Sequence, residues 1–527
     1  MENASQDGEA DKNGDTRSPG RSAIAGRRKV TVALLVAMMV AAVEQLIVSP
    51  AMPTIIAKLK GFDIYPWVIS AYLLAATVSV PIYGKLADLF GRKPVLIFGL
   101  VLFSLGSMLS GTSMSMGQLI ATRTIQGLGA GAVSPIVLTM LGDLFTLRER
   151  AQVQALFSAV WGLSSVAGPL IGGYLTDYIG WRWVFLICVP FAAAAILMLI
   201  LYVSEPIVHR QVAPIDWAGA ALLTAGVLAF LWVVLDGSRR SWAFNLLLLS
   251  GSAALLVLFV IRERIAADPI LPMSLITRPV IAASLLASLA FGGILFGIET
   301  YVPLHVQGAQ GGDATRAGLA LIPLFLAWSA SGALAARAVV RYGFRSCGLT
   351  GSILVAVGCL SLVTGASFPE WAWTCFMVAL AVIGMGMGPT SLSFILAVQH
   401  AVNWGQRGVA TGAAVFLRLI GGATGVGVLG GLLGWELMHR LARSGSTAID
   451  VTAALRPETH KYLSHDHLRL VQTSLGLTLR DVYLLVTLLA IVSLICAFWL
   501  PDKHATLTNS SEQERESTRD EGPAAEV

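Results

Sequence analysis

The chain has 527 residues, of which 55% are hydrophobic and only 13% charged, with a mean hydropathy of +0.73. A soluble globular protein carries about 25% charged residues, so a chain this apolar can place its side chains only against lipid and against itself. The net charge of +5 and pI near 9.0 would suit a nucleic-acid partner, but the basic residues are spread over short loops between apolar runs and are not gathered on one face, which excludes that partner.

Residues 1–29 are polar, rich in Gly, Ser, Asp and Arg, and are expected to form a disordered tail. The first apolar run, 30–50, follows Arg27, Arg28 and Lys29 and is long enough to cross a hydrocarbon core of roughly 30 Å. It ends in Ser-Pro-Ala-Met-Pro without a small-residue cleavage site, so it reads as a span that stays and not as a signal peptide. Further apolar runs follow at 66–87, 95–111, 117–141, 152–175, 182–203, 214–235, 243–262, 279–304, 316–340, 345–365, 371–400, 406–432 and 481–500, fourteen in all. Each must be a helix, because the bilayer core holds no water to satisfy a backbone. The run at 95–111 is short, and only Asp236–Trp242 separates the seventh from the eighth.

Loops alternate in charge. One set carries Arg27, Arg28 and Lys29; Lys85, Arg92 and Lys93; Arg148 and Arg150; Arg210; Arg262, Arg264 and Arg278; Arg337, Arg341 and Arg345; and Arg407. The other carries only Lys58, Lys60, Arg182, Arg239, Arg240 and Arg316. The basic set marks the cytoplasm, so both termini are expected there. Segment 436–480 then lies outside, where Leu468, Leu470 and Leu475 allow short amphipathic helices. His439, His460, His465 and His467 fall in it and read as a solvated loop and not as a metal site. The five cysteines, Cys188, Cys347, Cys359, Cys375 and Cys496, sit in or beside apolar runs and read as packing residues.

Six stretches carry chemistry. Gly84-Lys-Leu-Ala-Asp88-Leu-Phe-Gly91-Arg92-Lys93 joins spans two and three. Gly84 would permit close helix approach, Asp88 can accept hydrogen bonds at a helix end, and Arg92 and Lys93 hold the loop at the cytoplasmic side. A looser copy runs from Gly332 through Arg337 to Arg341-Tyr-Gly343-Phe-Arg345, as an old duplication of six spans would leave. Span four holds Arg123 and Gln126, three apart on one helix face, with Gly127 and Gly131 as a smooth seam. An arginine that deep must face a polar cavity or a carboxylate, or else snorkel to the outer interface. Span five reads Ser164-Ser-Val-Ala-Gly168-Pro169-Leu-Ile-Gly172-Gly173, a broken ladder with a small-residue seam. Glu44 in span one and Glu299 in span nine are carboxylates inside apolar runs. Each can carry a proton or attract a cation, Glu44 can equally form a fixed ion pair, and Glu299 can simply be exposed at the interface. In span thirteen Arg418 precedes Gly421, Gly422, Gly425 and Gly427. Trp161, Met385 and Met387 could line a pocket, although packing is the plainer reading.

The loop Gly84–Lys93 resembles the signature loop of the major facilitator superfamily, departing at one usual basic position, Leu89. The Arg123 stretch resembles that family's second motif and the Gly168-Pro169 stretch its antiporter motif, with Ser164 where Gly is usual. Glu44 stands where the fourteen-span drug:proton antiporters usually have Asp, and the Arg418 stretch is similar to their Arg-Gly-Gly run. Over about residues 30–500 the resemblance implies an all-α polytopic membrane protein of the major facilitator fold. Its parts would be a six-helix bundle at 30–203, two additional helices and linkers at 204–278, a second bundle at 279–500 containing segment 436–480, and a disordered tail at 501–527.

The same resemblance implies a cytoplasmic latch at Gly84, Asp88, Gly91, Arg92 and Lys93, an antiporter seam at Gly168, Pro169, Gly172 and Gly173, and proton or substrate roles for Glu44, Arg123, Glu299 and Arg418. The function so implied is proton-coupled export of amphipathic or cationic drug-like compounds by alternating access across the plasma (bacterial inner) membrane. The partners are a small-molecule substrate, protons and the lipid bilayer, with a monomer as the working unit and no cofactor or metal. A dedicated exporter of one native metabolite, siderophore, antibiotic or lipid would share every motif. A G-x-x-x-x-G-K-[ST] run is absent, so the energy source would be an ion gradient. No catalytic His, Cys or Ser constellation argues for an enzyme, and the short tails argue against a sensor.

Overall fold

The computed structural model describes residues 21–144, 147–203, 216–236, 241–266, 269, 273–365, 372–402, 407–443 and 465–502. Among them, thirteen helical stretches are long and apolar enough to cross a membrane. The fourteenth expected span, 152–175, falls in α6 (Leu147–Tyr174), several of whose side chains lie outside the described residues. This 28-residue helix packs along its neighbours as the others do. The expected tails are mostly outside the described residues, but the first helix already begins at Arg21.

The first half comprises α1 (Arg21–Ile47), α2 (Met52–Leu59), α3 (Pro66–Phe90), α4 (Arg92–Gly111), α5 (Met116–Leu144), α6, α7 (Arg182–Leu186) and α8 (Cys188–Tyr202). The first span does not stop at residue 50. Pro50 starts a single 3-10 turn, Ser49–Ala51, and the helix resumes at Met52, so helical chain continues to Leu59. Proline removes one donor but its fixed φ is compatible with a helix start, which is why the chain bends there and does not end. Next come α9 (Trp217–Asp236) and α10 (Trp242–Ile265), and the short α11 (Met273–Ile276). The second half comprises α12 (Pro279–Leu304), α13 (Ala314–Tyr342), α14 (Phe344–Gly365), α15 (Ala372–His400), α16 (Arg407–Arg443) and α17 (His465–Ala497).

The duplication suggested by the loops is written into the packing. In the first half α1 packs on α6 and α8, α3 and α4 both pack on α5, and α4 packs on α8. In the second half α12 packs on α16 and α17, α13 and α14 both pack on α15, and α14 packs on α17. Each of these five pairings in one half has its counterpart in the other. The turns match too: a single glycine joins α3 to α4 (Gly91, φ 91°) and α13 to α14 (Gly343, φ 85°). A side chain would be strained at that backbone angle, which explains the glycine at both echoes.

Helices α9 and α10 pack chiefly on each other. Asp216 joins them, accepting from Gly219 N at the start of α9 and from Arg262 Nε of α10, both at 3.0 Å. α10 is mostly exposed, an apolar surface suited to lipid. Segment 436–480 is less loop-like than its polarity suggests. α16 runs on to Arg443 and α17 starts at His465, with Arg440 bonded to Glu436 at 2.8 Å and to Asp481 at 2.6 Å. Val471, Leu475 and Leu479 are buried in the main core, so the start of α17 is a packed element and not an amphipathic piece lying free. Residues 444–464, with His460, lie outside the described residues.

Candidate functional site

Among the described residues, the hydrogen bonds between the two halves gather at one end of the molecule. Ser49 donates to the Glu299 carbonyl. Gln307 Nε2 donates to the Pro50 carbonyl at 2.7 Å, and Thr54 donates to Gln307 Oε1 at 3.2 Å. Ser70 of α3 donates to the Ala423 carbonyl of α16 at 2.8 Å. Asp177, in a π-turn at Leu175–Ile179 that follows α6, accepts from Ala314 N at 3.2 Å, Thr315 N at 2.8 Å and Thr315 Oγ1 at 2.6 Å. A carboxylate of the first half thus covers the free amides at the start of α13 in the second. Beneath them lies a buried aromatic group: Tyr65 edge-on to Tyr301, and His305 tilted against Phe376 and Tyr483. This end is called here the closed face.

The antiporter stretch builds two seams at that face. Gly168 and Gly172 lie on α1, where a Cβ on Gly172 would overlap the Ile47 carbonyl. Gly173 lies on the first turn of α13, and the Pro169 carbonyl sits where a Cβ of Gly318 would be. The glycines therefore serve close backbone approach, and half of the motif spans the two halves.

The opposite, open face differs. Among the described residues, no atom of another segment lies within 4 Å of a Cβ placed on Gly84, on its echo Gly332, or on Gly412. The close approach expected at Gly84 is not made in this conformation. Arg92 is buried and donates to the Thr139 carbonyl at 3.1 Å, and Lys93 donates to the Val203 carbonyl at 2.6 Å and the Ile200 carbonyl at 3.1 Å. These bonds tie α4 to α5 and to the end of α8, all within one half. The side chains of Lys85, Asp88, Asp143, Arg148, Glu149 and Arg150 lie outside the described residues.

Of the four deep charges, the structure brings two together. Glu44 (0% exposed) and Arg123 (3% exposed) form an ion pair between α1 and α5. Arg123 also donates to Gln126 Oε1 at 2.7 Å, and its guanidinium lies 3.9 Å from the centroid of the Tyr72 ring. The arginine does not snorkel, since its cost is met by a carboxylate, an amide and an aromatic face. Three polar atoms of this cluster, Glu44 Oε2, Arg123 Nε and Gln126 Nε2, are buried without a hydrogen-bond partner. Glu299 stays apart, buried at the closed face with Oε1 unpartnered; it is not exposed at an interface. Arg418 is separate again, in the second half among α12, α15 and α16. Met387 is core, Met385 is exposed, and Trp161 is partly buried against the first-half core. The cysteines are unbonded, and all but Cys375 are buried. Asp177 and Gln307 escaped sequence reading: each is an ordinary polar residue near a span end, and their partners lie 137 and 257 residues away.

Two halves of matching helix packing around buried charges give the chain the architecture of a polytopic membrane protein with an internal repeat. Residues 34–426 match the model of the Major Facilitator Superfamily, and the chain belongs to that family. It is 34% identical over 411 residues to Multidrug resistance protein 3 of Bacillus subtilis (strain 168), covering 77% of this chain and 79% of that one. The fold matches a bacterial homologue of the human lysosomal transporter Spinster with a TM-score of 0.65 at 13% identity, over 92% of this chain and 98% of that one. It also matches a D-xylose–proton symporter with a TM-score of 0.60 at 12% identity, over 90% and 97% of the two chains. The protein is therefore a polytopic secondary transporter of small molecules and not an enzyme.

Proposed function

We propose that the protein exports amphipathic drug-like compounds in exchange for protons, by alternating access in the bacterial inner membrane. The observation that carries this reading is the Glu44–Arg123 cluster, an ion pair buried in the first half with Glu44 Oε2 left unpartnered. A carboxylate held by one arginine bond on one oxygen keeps the other free to take a proton. Protonation would weaken the pair, releasing Arg123 toward Gln126, and so alter the packing of α1 on α5. Because α1 continues through Ser49 and Pro50 into the closed-face bonds, a change at Glu44 is carried about 7.5 Å along the helix to the junction between the halves. Glu299, on the far side of that junction, is the second proton site in this reading. The basic loops support a cytoplasmic open face, and with it an inward-facing conformation. Export as the direction draws on the antiporter seam and on the likeness to a protein named for multidrug resistance.

The test is dye transport by the purified protein in proteoliposomes. An imposed pH gradient should drive it, and a protonophore and Glu44→Gln should each abolish that dependence. Full gradient-driven transport in Glu44→Gln would sink the assignment of Glu44.

A further inference from the structure

The deep charges do not balance locally. Glu44 and Arg123 neutralise each other, and Glu299 is held at the closed face, but Arg418 is left over. Its guanidinium makes no hydrogen bond or ion pair with any described residue. It stands eleven residues into α16, about 16 Å from the helix start and so near the middle of a bilayer. The nearest deep carboxylate cannot reach it. The Arg418 backbone packs against Gly292 of α12, and Glu299 lies seven residues further along that helix, about 10 Å toward the closed face. The two helices run parallel, and an arginine side chain leans toward its own helix start, away from Glu299. An unpaired arginine at this depth is costly unless something supplies the missing charge.

The surroundings say what that something is. Arg418 opens on a cavity of about 20 Å³, room for one oxygen-sized group, walled by Phe291 of α12 and Phe394 of α15. Ser288 and Ser391 also line it, but both hydroxyls donate to carbonyls of their own helices, Ser284 O and Gly388 O, which leaves the guanidinium as the donor. Phe291 continues the apolar wall onto Trp328 of α13 at 5.7 Å between ring centroids. The next residue, Ser329, is the group a Cβ on Gly162 of α6 would meet across the halves, at 3.2 Å. Aromatic side chains therefore line the way from the boundary between the halves to a half-buried fixed positive charge.

We propose that Arg418 recognises the charge of the substrate, and that the transported compounds include amphipathic anions, a carboxylate or sulfonate on an apolar body. The anionic group bonds Arg418 while the body lies along Phe291, Phe394 and Trp328. Arginine suits this role because its planar fork matches two oxygens at once. This rests on the reading of the protein as a small-molecule exporter and adds the charge of its cargo.

The test uses a matched pair of probes, dansylaminoundecanoic acid and its methyl ester, binding to the full chain in lipid nanodiscs without any proton gradient. The wild-type protein should bind the acid at least tenfold more tightly than the ester. Arg418→Gln should erase that preference, and Arg418→Lys should keep part of it. Equal binding of acid and ester by the wild type would overturn the proposal, and this comparison stands even if Arg418→Gln does not fold. A fall in both affinities by the same factor in Arg418→Gln would also overturn it, since that is what lost packing produces. The outcome is separable from proton coupling. Acid-selective binding through Arg418 with no gradient-driven transport would uphold the recognition and defeat the coupling, whereas gradient-driven transport of the ester with indifference to the acid would do the reverse.

Discussion

At the scale of single residues, the cost of burying charge organises the first half. Glu44 and Arg123 stand out in the sequence because ionised side chains in apolar runs are expensive. Nothing local says that they are partners, since 79 residues separate them. Removing either member alone leaves the other as an uncompensated buried charge. Arg123→Ala leaves a buried carboxylate alone and should destabilise the protein by about 3–5 kcal/mol. Glu44→Gln leaves Arg123 a buried cation with only neutral acceptors and should cost a similar amount, while Glu44→Gln with Arg123→Ala should recover much of the loss caused by either alone. Thermal unfolding of the four proteins in one detergent checks the order. Additive losses in the double variant would show that the two side chains do not act as a unit.

At the scale of elements, the antiporter stretch and the π-turn after it act together. Gly173 and Pro169 bring α6 against α13, and Asp177 then caps the start of α13 from across the halves. A helix cap of this kind contributes about 1 kcal/mol, so Asp177→Ala should shift the balance between closed and open states of this face by about fivefold. Labelling of a cysteine placed at Gln307 by a membrane-impermeant maleimide should quicken accordingly; an unchanged rate would show that the cap does not restrain the face. A larger effect is expected for Gly173→Leu, whose side chain has no room beside Ala314 and Thr315. That variant should fold with α6 displaced from α13 and lose transport, whereas Gly84→Ala, with open space around it, should tolerate the added methyl in this conformation.

At the scale of the whole molecule, the described residues of the α3–α16 seam meet at one end. Its antiparallel register sets Pro66 against Gly430 and Ser70 against Ala423 and Gly427. Carried about 21 Å further along α3, the same register brings Gly84 opposite Gly412, and both glycines now face open space. Rocking of the halves about the closed-face junction would bring them together, giving the loop after Gly84 its role as a latch. Cysteines at both positions, in a chain without the native five, should cross-link only during turnover and then arrest transport. Cross-linking at the same rate without substrate, or transport that continues after it, would defeat this register.

The sequence by itself determined where the spans lie, the glycine turns at Gly91 and Gly343, and which side chains are too costly to be idle. These depend on hydropathy and on backbone conformation, which act over a few residues at a time. Only the tertiary structure decided that Glu44 meets Arg123, that Arg418 meets no carboxylate, and that Gly173 packs across the halves while Gly84 does not. It also extended the first span past Pro50 and turned part of 436–480 into two helix ends. The physical reason is the same in each case: a bilayer constrains each helix along its own axis, but the partner of a buried group is set by how two separately folded halves are apposed, and no local pattern encodes that.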